Sequence, residues 1–249
     1  MEEKNLFKNS QIIVLGICIA TATIVSSVIL SQGFLKVMRF TREQISVTGA
    51  AQQVITSDYM VWSSSFGRRD LTLKDAFKGL QADLETVRAY LLEKGIKEDE
   101  IFNSPVTTQT LYKKTSKGSE TNDIEAYRVS QAVEVRSYNV DKVTDIYRDS
   151  TELIEKGVEY ETYSPQYFYT KLDELKIEML AKATENAKAR AENMVHATGN
   201  KIGFMRAARM GVFQITSVNS TDVSDYGVND TSSLEKKVTA VVNVSFAIE

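Results

Sequence analysis

The chain has 249 residues, 30 basic against 33 acidic side chains, one histidine and one cysteine. A charge of −3 spread this evenly gives no electrostatic pull toward nucleic acid and excludes that partner class. The lone Cys18 excludes a disulfide framework, and the lone His196 excludes a metal site or triad that needs a second histidine.

No charge occurs between Lys8 and Lys36. Inside that gap, Ile12 to Leu30 is a run of 19 residues, eleven of them Ile, Val or Leu. As a helix it spans roughly 28 Å at about 1.5 Å per residue, close to the ~30 Å hydrocarbon layer of a bilayer. Thr21, Thr23, Ser26 and Ser27 can return their hydroxyls to the helix backbone. Residues 12–35 are therefore read as a transmembrane anchor in contact with lipid, preceded by a short flank at 1–11 and followed by a linker at 36–43. A cleaved signal peptide is the alternative, with Lys4 and Lys8 as its basic start and Ala20-Thr21-Ala22 as its cleavage site. The sequence Leu15-Gly16-Ile17-Cys18 is a poor lipoprotein box, because Ile precedes the cysteine and the apolar run continues past it.

The rest, 44–249, reads as one folded region. Gln44–Val54 and Asp58–Phe66 alternate as strands and form a hairpin around Thr56-Ser57-Asp58. Trp62 belongs to the core of that pair. Thr72-x-x-Asp75 starts a helix whose stripe is Leu73, Ala76, Phe77, Leu80, Leu84, Val87 and Leu91, and Gly95 ends it. Ile101–Tyr112 is extended and interrupted by Pro105. The polar stretch Lys113–Glu125 is a hairpin loop. Tyr127–Ser137 alternates cleanly: Tyr127, Val129, Val133 and Val135 on a covered face, Arg128, Ser130, Glu134 and Arg136 on a wet one.

Asn139 caps a second helix through Val143, Ile146, Tyr147 and Leu153, closed by Gly157. Its end, Leu153–Val158, echoes Leu91–Ile96. Val158–Phe168 is an extended segment rich in tyrosine, suited to sheet or interface packing. Lys171–Thr198 is the longest soluble helix, with Leu172, Leu175, Met179, Ala183, Ala187, Ala191 and Val195 on its buried side. Its alanines allow close approach to a sheet or a second subunit. Met205–Ile215 and Lys237–Ile248 close the fold, separated by a long polar segment, Thr216–Lys236. Asp222, Asp225 and Asp230 in that segment lack the spacing of a calcium loop.

The order of these elements resembles the SIMPL-domain (DUF541) family of bacterial envelope proteins. The resemblance rests on Ile45-Ser46-Val47-Thr48-Gly49, Gly95-Ile96 running to Ile101, the Tyr127–Val135 strand, and the alanine-rich helix leading to Gly199-Asn200-Lys201-Ile202-Gly203. It implies an α+β domain, export to the periplasm or cell exterior, and often higher-order homo-oligomers, with no catalytic residues to carry over; the expected place is the inner membrane, with the C-terminal domain in the periplasm. The expected fold is α+β: a mainly antiparallel sheet of about seven strands with three helices packed against it, plus the N-terminal transmembrane helix.

No phosphate-binding loop, dinucleotide fingerprint or nucleophile elbow occurs. His196 follows Glu192 at i,i+4, a surface spacing, and Glu174 and Glu178 share a solvated helix face. The expected function is a non-enzymatic, membrane-anchored, periplasmic assembly module with no catalytic, cofactor or metal residues. The alternative is a ligand-binding envelope stress protein with a cleft near 216–236 and 113–125.

Overall fold

The computed structural model describes residues 3–249, with side chains at 12–38 and 43–249. The side chains of Lys4 and Lys8, which enter the signal-peptide reading, lie outside the described set.

Helix α1 (Glu3–Arg42) carries the apolar run. Within it, Ile12–Met38 is long and apolar enough to cross a membrane, and none of it is buried. Thr21 donates to the carbonyl of Ile17 (2.9 Å) and Thr23 to that of Ala20 (2.9 Å), so the helix absorbs its own hydroxyls. The helix continues through the 36–43 stretch as far as Arg42, and strand β1 (Gln44–Thr56) begins after one further residue.

The elements after β1 are β2 (Tyr59–Asp70), α2 (Leu73–Glu93), β3 (Ile101–Asn103), β4 (Thr107–Lys114), β5 (Glu120–Ser137), α3 (Val140–Asp149), α4 (Glu152–Glu155), β6 (Glu159–Thr162), β7 (Gln166–Phe168), α5 (Leu172–His196), β8 (Ile202–Met210), β9 (Gln214–Ser217), β10 (Val228–Asn229) and β11 (Glu235–Ile248). The fold is α+β, but the described residues hold eleven strands and five α-helices, more than expected. Several expected elements are broken in two. Pro105 separates β3 from β4 and Pro165 separates β6 from β7, because proline has no N–H for the ladder. The expected helix from Asn139 divides into α3 and α4 at Ser150-Thr151. The Met205–Ile215 strand divides at Gly211.

Two compact units are present. The first takes residues up to Ala50, Leu180–Gly211 and Val241–Glu249. In it, β8 runs antiparallel to the end of β11, from Val242 opposite Met210 to Ile248 opposite Ile202. The start of β1 flanks the same part of β11: the hydroxyls of Ser46 and Ser245 lie 2.6 Å apart, and Asn243 donates to Thr48 Oγ1. Ala183, Ala187, Ala191 and Val195 of α5 are buried. Gly49 explains how close the helix comes. A Cβ there would stand 2.2 Å from the carbonyl oxygen of Ala183 and 2.7 Å from the Ala187 side chain.

The second unit takes Ala51–Met179 and Val212–Ala240. Its six-stranded sheet is antiparallel, ordered β3-β5-β2-β6, with β4 also paired to β5 and β7 to β2. The β1–β2 hairpin expected from the sequence does not form. β2 pairs with β5, β6 and β7, and the Thr56-Ser57-Asp58 turn hands the chain to new partners: Ser57 N–H donates to the Leu234 carbonyl and Asp58 N–H to that of Phe168. The core is the covered face of this sheet, with Met60, Trp62, Phe66, Val129, Val133 and Val135 packed with Ala76, Leu80, Val87 and Leu91 of α2.

The sequence echo has a shared backbone cause. Gly95 and Gly157 both take positive φ (84° and 86°). The N–H groups of Gly95 and Ile96 reach Leu92 and Leu91, and those of Gly157 and Val158 reach Ile154 and Leu153, so both helices close with the same glycine cap.

Candidate interaction sites

Three features of the second unit are open to solvent: an arm, a groove and a recess. The first is an arm. β5 pairs with β2 from Ser137 back to Tyr127, where β2 ends at Asp70. Further toward its own start, β5 continues with β4 alone, through Leu111 opposite Ala126, Tyr112 opposite Ile124 and Lys114 opposite Glu120. The segment read from sequence as a loop is thus mostly strand, turning only at Thr115–Ser119 around Gly118. The tip carries Lys113, Lys114 and Lys117. Its root is partly apolar, with Tyr112 39% and Ile124 47% exposed.

The second feature is a groove of 540 Å³ on the wet face of the same sheet. Its floor is Gly67, which lies opposite Ser130 on β5 and Glu159 on β6. A Cβ at Gly67 would stand 3.1 Å from the Val129 carbonyl oxygen and 3.6 Å from Ser130 Cβ, so glycine keeps the floor low. The Arg128 guanidinium donates to Glu159 beside it, and Ser65 and Tyr163 hydroxyls lie 3.1 Å apart. Thr107, Gln109 and Glu161 complete the rim. Burial pushes the Tyr160 hydroxyl up to about 12, against hydrogen bonds with the buried Ser64 and Ser150, so that hydroxyl belongs to the core side of the sheet and not to the groove. The groove offers hydrogen-bonding groups around one ion pair, a set suited to holding a polar molecule.

The third feature is a 320 Å³ recess inside the long polar segment, lined by Thr216, Ser217, Ser220, Asp222, Val228, Asp230, Ser232 and Ser233. Its lining takes no residue from 113–125, which belongs to the arm. The segment is held from within. Gln214 Oε1 accepts from Ser224 N–H and Val228 N–H while its Nε2 donates to the Ser224 carbonyl, and Lys237 donates to the Ser220 carbonyl. Asp222 and Asp230 share the recess, whereas Asp225 does not line it. Asp222 accepts from the hydroxyl of Ser220, and Asp230 accepts from the N–H and hydroxyl of Ser232. Among the described residues no three His, Cys, Asp or Glu side chains gather as a metal site. Burial opposes ionisation of Asp230. The hydroxyls of Ser233 and Ser232, the Ser232 N–H and the Lys236 charge outweigh it and hold the carboxyl below the usual range. Burial in turn lowers the Lys236 ammonium, which donates to the Tyr167 carbonyl (2.5 Å).

The other residues singled out in the sequence are dispersed. Trp62 is 1% exposed and donates from Nε1 to Thr162 Oγ1 (2.9 Å), so it is a core residue as expected. Of the tyrosine run, Tyr160 and Tyr163 line the groove, and Tyr167 and Tyr169 line a smaller 70 Å³ cavity with Lys236. His196 and Glu192 line a recess of the first unit together with Asn200 and Lys201. The groove was not legible in the sequence. The wet face of β5 was, but which strand would set Glu159 beside Arg128 depends on the β2–β6 register, and a sequence pattern does not carry that.

A search of curated proteins found no match to the chain. Comparison with family models gives a match over residues 45–246 to SIMPL, described as a protein of unknown function (DUF541). That match takes in nearly everything after α1, from the second residue of β1 to two residues before the end of β11. The chain therefore belongs to the SIMPL (DUF541) family, with an apolar helix ahead of the family domain.

Proposed function

We propose that this SIMPL-family chain is a membrane-anchored, non-enzymatic module that stands in the extracytoplasmic space and assembles with further copies of itself. The observation that carries the reading is the β4–β5 arm. A two-stranded ribbon is marginal alone in water, and its open edges are templates for another chain. Here the ribbon leaves the sheet with Tyr112 and Ile124 exposed at its root and lysines at its tip, groups that a partner chain can cover. The apolar helix α1 supports the membrane side of the reading. An uncleaved anchor would hold copies in one plane and raise their effective concentration.

The test is to replace 113–123 by Asn-Gly, which joins Tyr112 to Ile124 through a two-residue hairpin turn. Two differently tagged copies of the full chain, co-expressed and extracted in mild detergent, should co-purify, and the shortened pair should not. Equal co-purification of both pairs would remove the arm from the account.

A second reading, ligand binding at the 216–236 segment, is supported by its hydroxyl-lined recess, at the small end of the range of ligand pockets. Deleting 218–226 should then abolish thermal stabilisation by a bound small molecule while leaving the fold intact.

A further inference from the structure

The first unit has a surface that neither the arm nor the groove explains. Strand β8 and the residue before it, Lys201–Met210, contain Lys201, Arg206 and Arg209 and no acidic residue. Phe204 is 55% and Met205 52% exposed, one on each face of the strand. β8 is paired on one side only, to β11.

Its position follows from the hydrogen bonds. Helix α1 ends at Arg42 and β1 starts at Gln44, so the first residues of β1 stay where the helix emerges. The Ile248 N–H donates to the Glu43 carbonyl (3.2 Å), and Ile248 is the partner of Ile202. Neighbouring strands lie about 4.8 Å apart, which puts the start of β8 roughly 10 Å from the end of α1. β1 and β8 are both antiparallel to β11 and so run in the same sense. The start of β8 is therefore at the α1 end of the unit, and Met210 lies about 26 Å further on.

The first charge after the apolar run is Lys36, and Arg42 lies six residues beyond it, about 9 Å of helix. One headgroup layer is about 5–8 Å thick. The start of β8 then stands at the outer edge of the headgroups, where an aromatic ring and long cationic side chains are favoured. The Arg206 guanidinium already covers one face of the Phe204 ring at 5.4 Å. Glu43 and Glu249 add negative charge at the same end, so apolar contact, and not lipid charge, is the main attraction.

We infer that the start of β8, centred on Lys201, Phe204 and Met205, is a second membrane contact that seats the first unit on the bilayer interface beside its anchor. The inference rests on α1 remaining as an uncleaved anchor. Its consequence is that the unit is held against the membrane at two points, which fixes its orientation and leaves only rotation about the membrane normal.

The test uses the full chain in lipid nanodiscs with nitroxide labels, comparing accessibility to oxygen and to a water-soluble nickel chelate. The native Cys18, exposed on α1, carries the first label. In a Cys18→Ser background, Phe204→Cys and Met210→Cys carry the second and third; both positions are exposed, and circular dichroism confirms the fold of each variant. The expected result is a deeply immersed label at 18, an interfacial label at 204 with oxygen access several-fold above that at 210, and a water-exposed label at 210. A label at 204 as water-exposed as that at 210, with 18 still immersed, overturns the second contact and leaves the anchor standing. Spin–spin broadening at 204 overturns it in favour of a neighbouring copy. A water-exposed label at 18 overturns the anchor and the inference together.

Discussion

The two halves of β5 are one strand in two environments. From Tyr127 to Ser137 it is flanked by β2 and carries Val129, Val133 and Val135 into a core closed by α2. From Glu120 to Ala126 it has β4 for a neighbour and an exposed Ile124. Only the inner stretch alternates; the outer one, Glu120–Ala126, is mostly polar and is held extended by its pairing with β4. What separates them is the second neighbour and the covering helix. Burial of one face sets the register of the inner half, while the outer half keeps its register only through the hairpin. Stability and availability for contact are thus divided along a single strand.

The largest expected effect is in the inner half. Trp62 lies opposite Val135 and is almost wholly buried, so Trp62→Ala should cost about 3–5 kcal/mol, read from the urea midpoint. A cost below about 1 kcal/mol would mean that the covered face is not the core. The next effect is at the α2 seam. Arg68 donates to both carboxylate oxygens of Asp83 (2.6 and 2.7 Å), and Asp83 is buried while Arg68 is partly exposed. Arg68→Ala leaves that carboxylate without its cation and should cost about 3 kcal/mol, the low end for a broken buried pair. Arg68→Lys should recover only part of it, since lysine lacks the two-pronged geometry.

A smaller effect distinguishes the long polar segment from both halves of β5. The Asp230 carboxyl is held below its unfolded value, so its contribution is complete above that unfolded value and fades as pH falls through the lower, folded one. Asp230→Asn should flatten the stability profile below about pH 4. An unchanged acid limb would show that the segment is not held through Asp230. The smallest effect is in the arm. Ile124→Ala should change the unfolding midpoint by less than about 0.5 kcal/mol, yet weaken co-purification of tagged copies. A cost comparable to that of Trp62→Ala would erase the contrast between the halves.

Much of this architecture can be read in the residues. The charge-free run, the α2 and α5 stripes, the two glycine caps and the alternation of Tyr127–Ser137 are local patterns, and local patterns survive into the structure. The division into two units, the partner of β1 and the groove do not follow from them. β1 and β2 are adjacent in sequence and look like a hairpin, but their partners come from residues far along the chain. Likewise Lys113–Glu125 is polar enough to look like a loop, because neither face of the arm is covered and alternation has nothing to answer to. The groove depends on Gly67, whose missing side chain matters only once Arg128 and Glu159 are set on either side of it.

The central claim is that this SIMPL-family chain works as an assembly of copies in a membrane, and the mass of the native particle tests it most directly. Light scattering on the full chain extracted in detergent, with the bound detergent subtracted, should give a multiple of 27.9 kDa that persists on dilution. A particle of 27.9 kDa at every concentration would contradict the account.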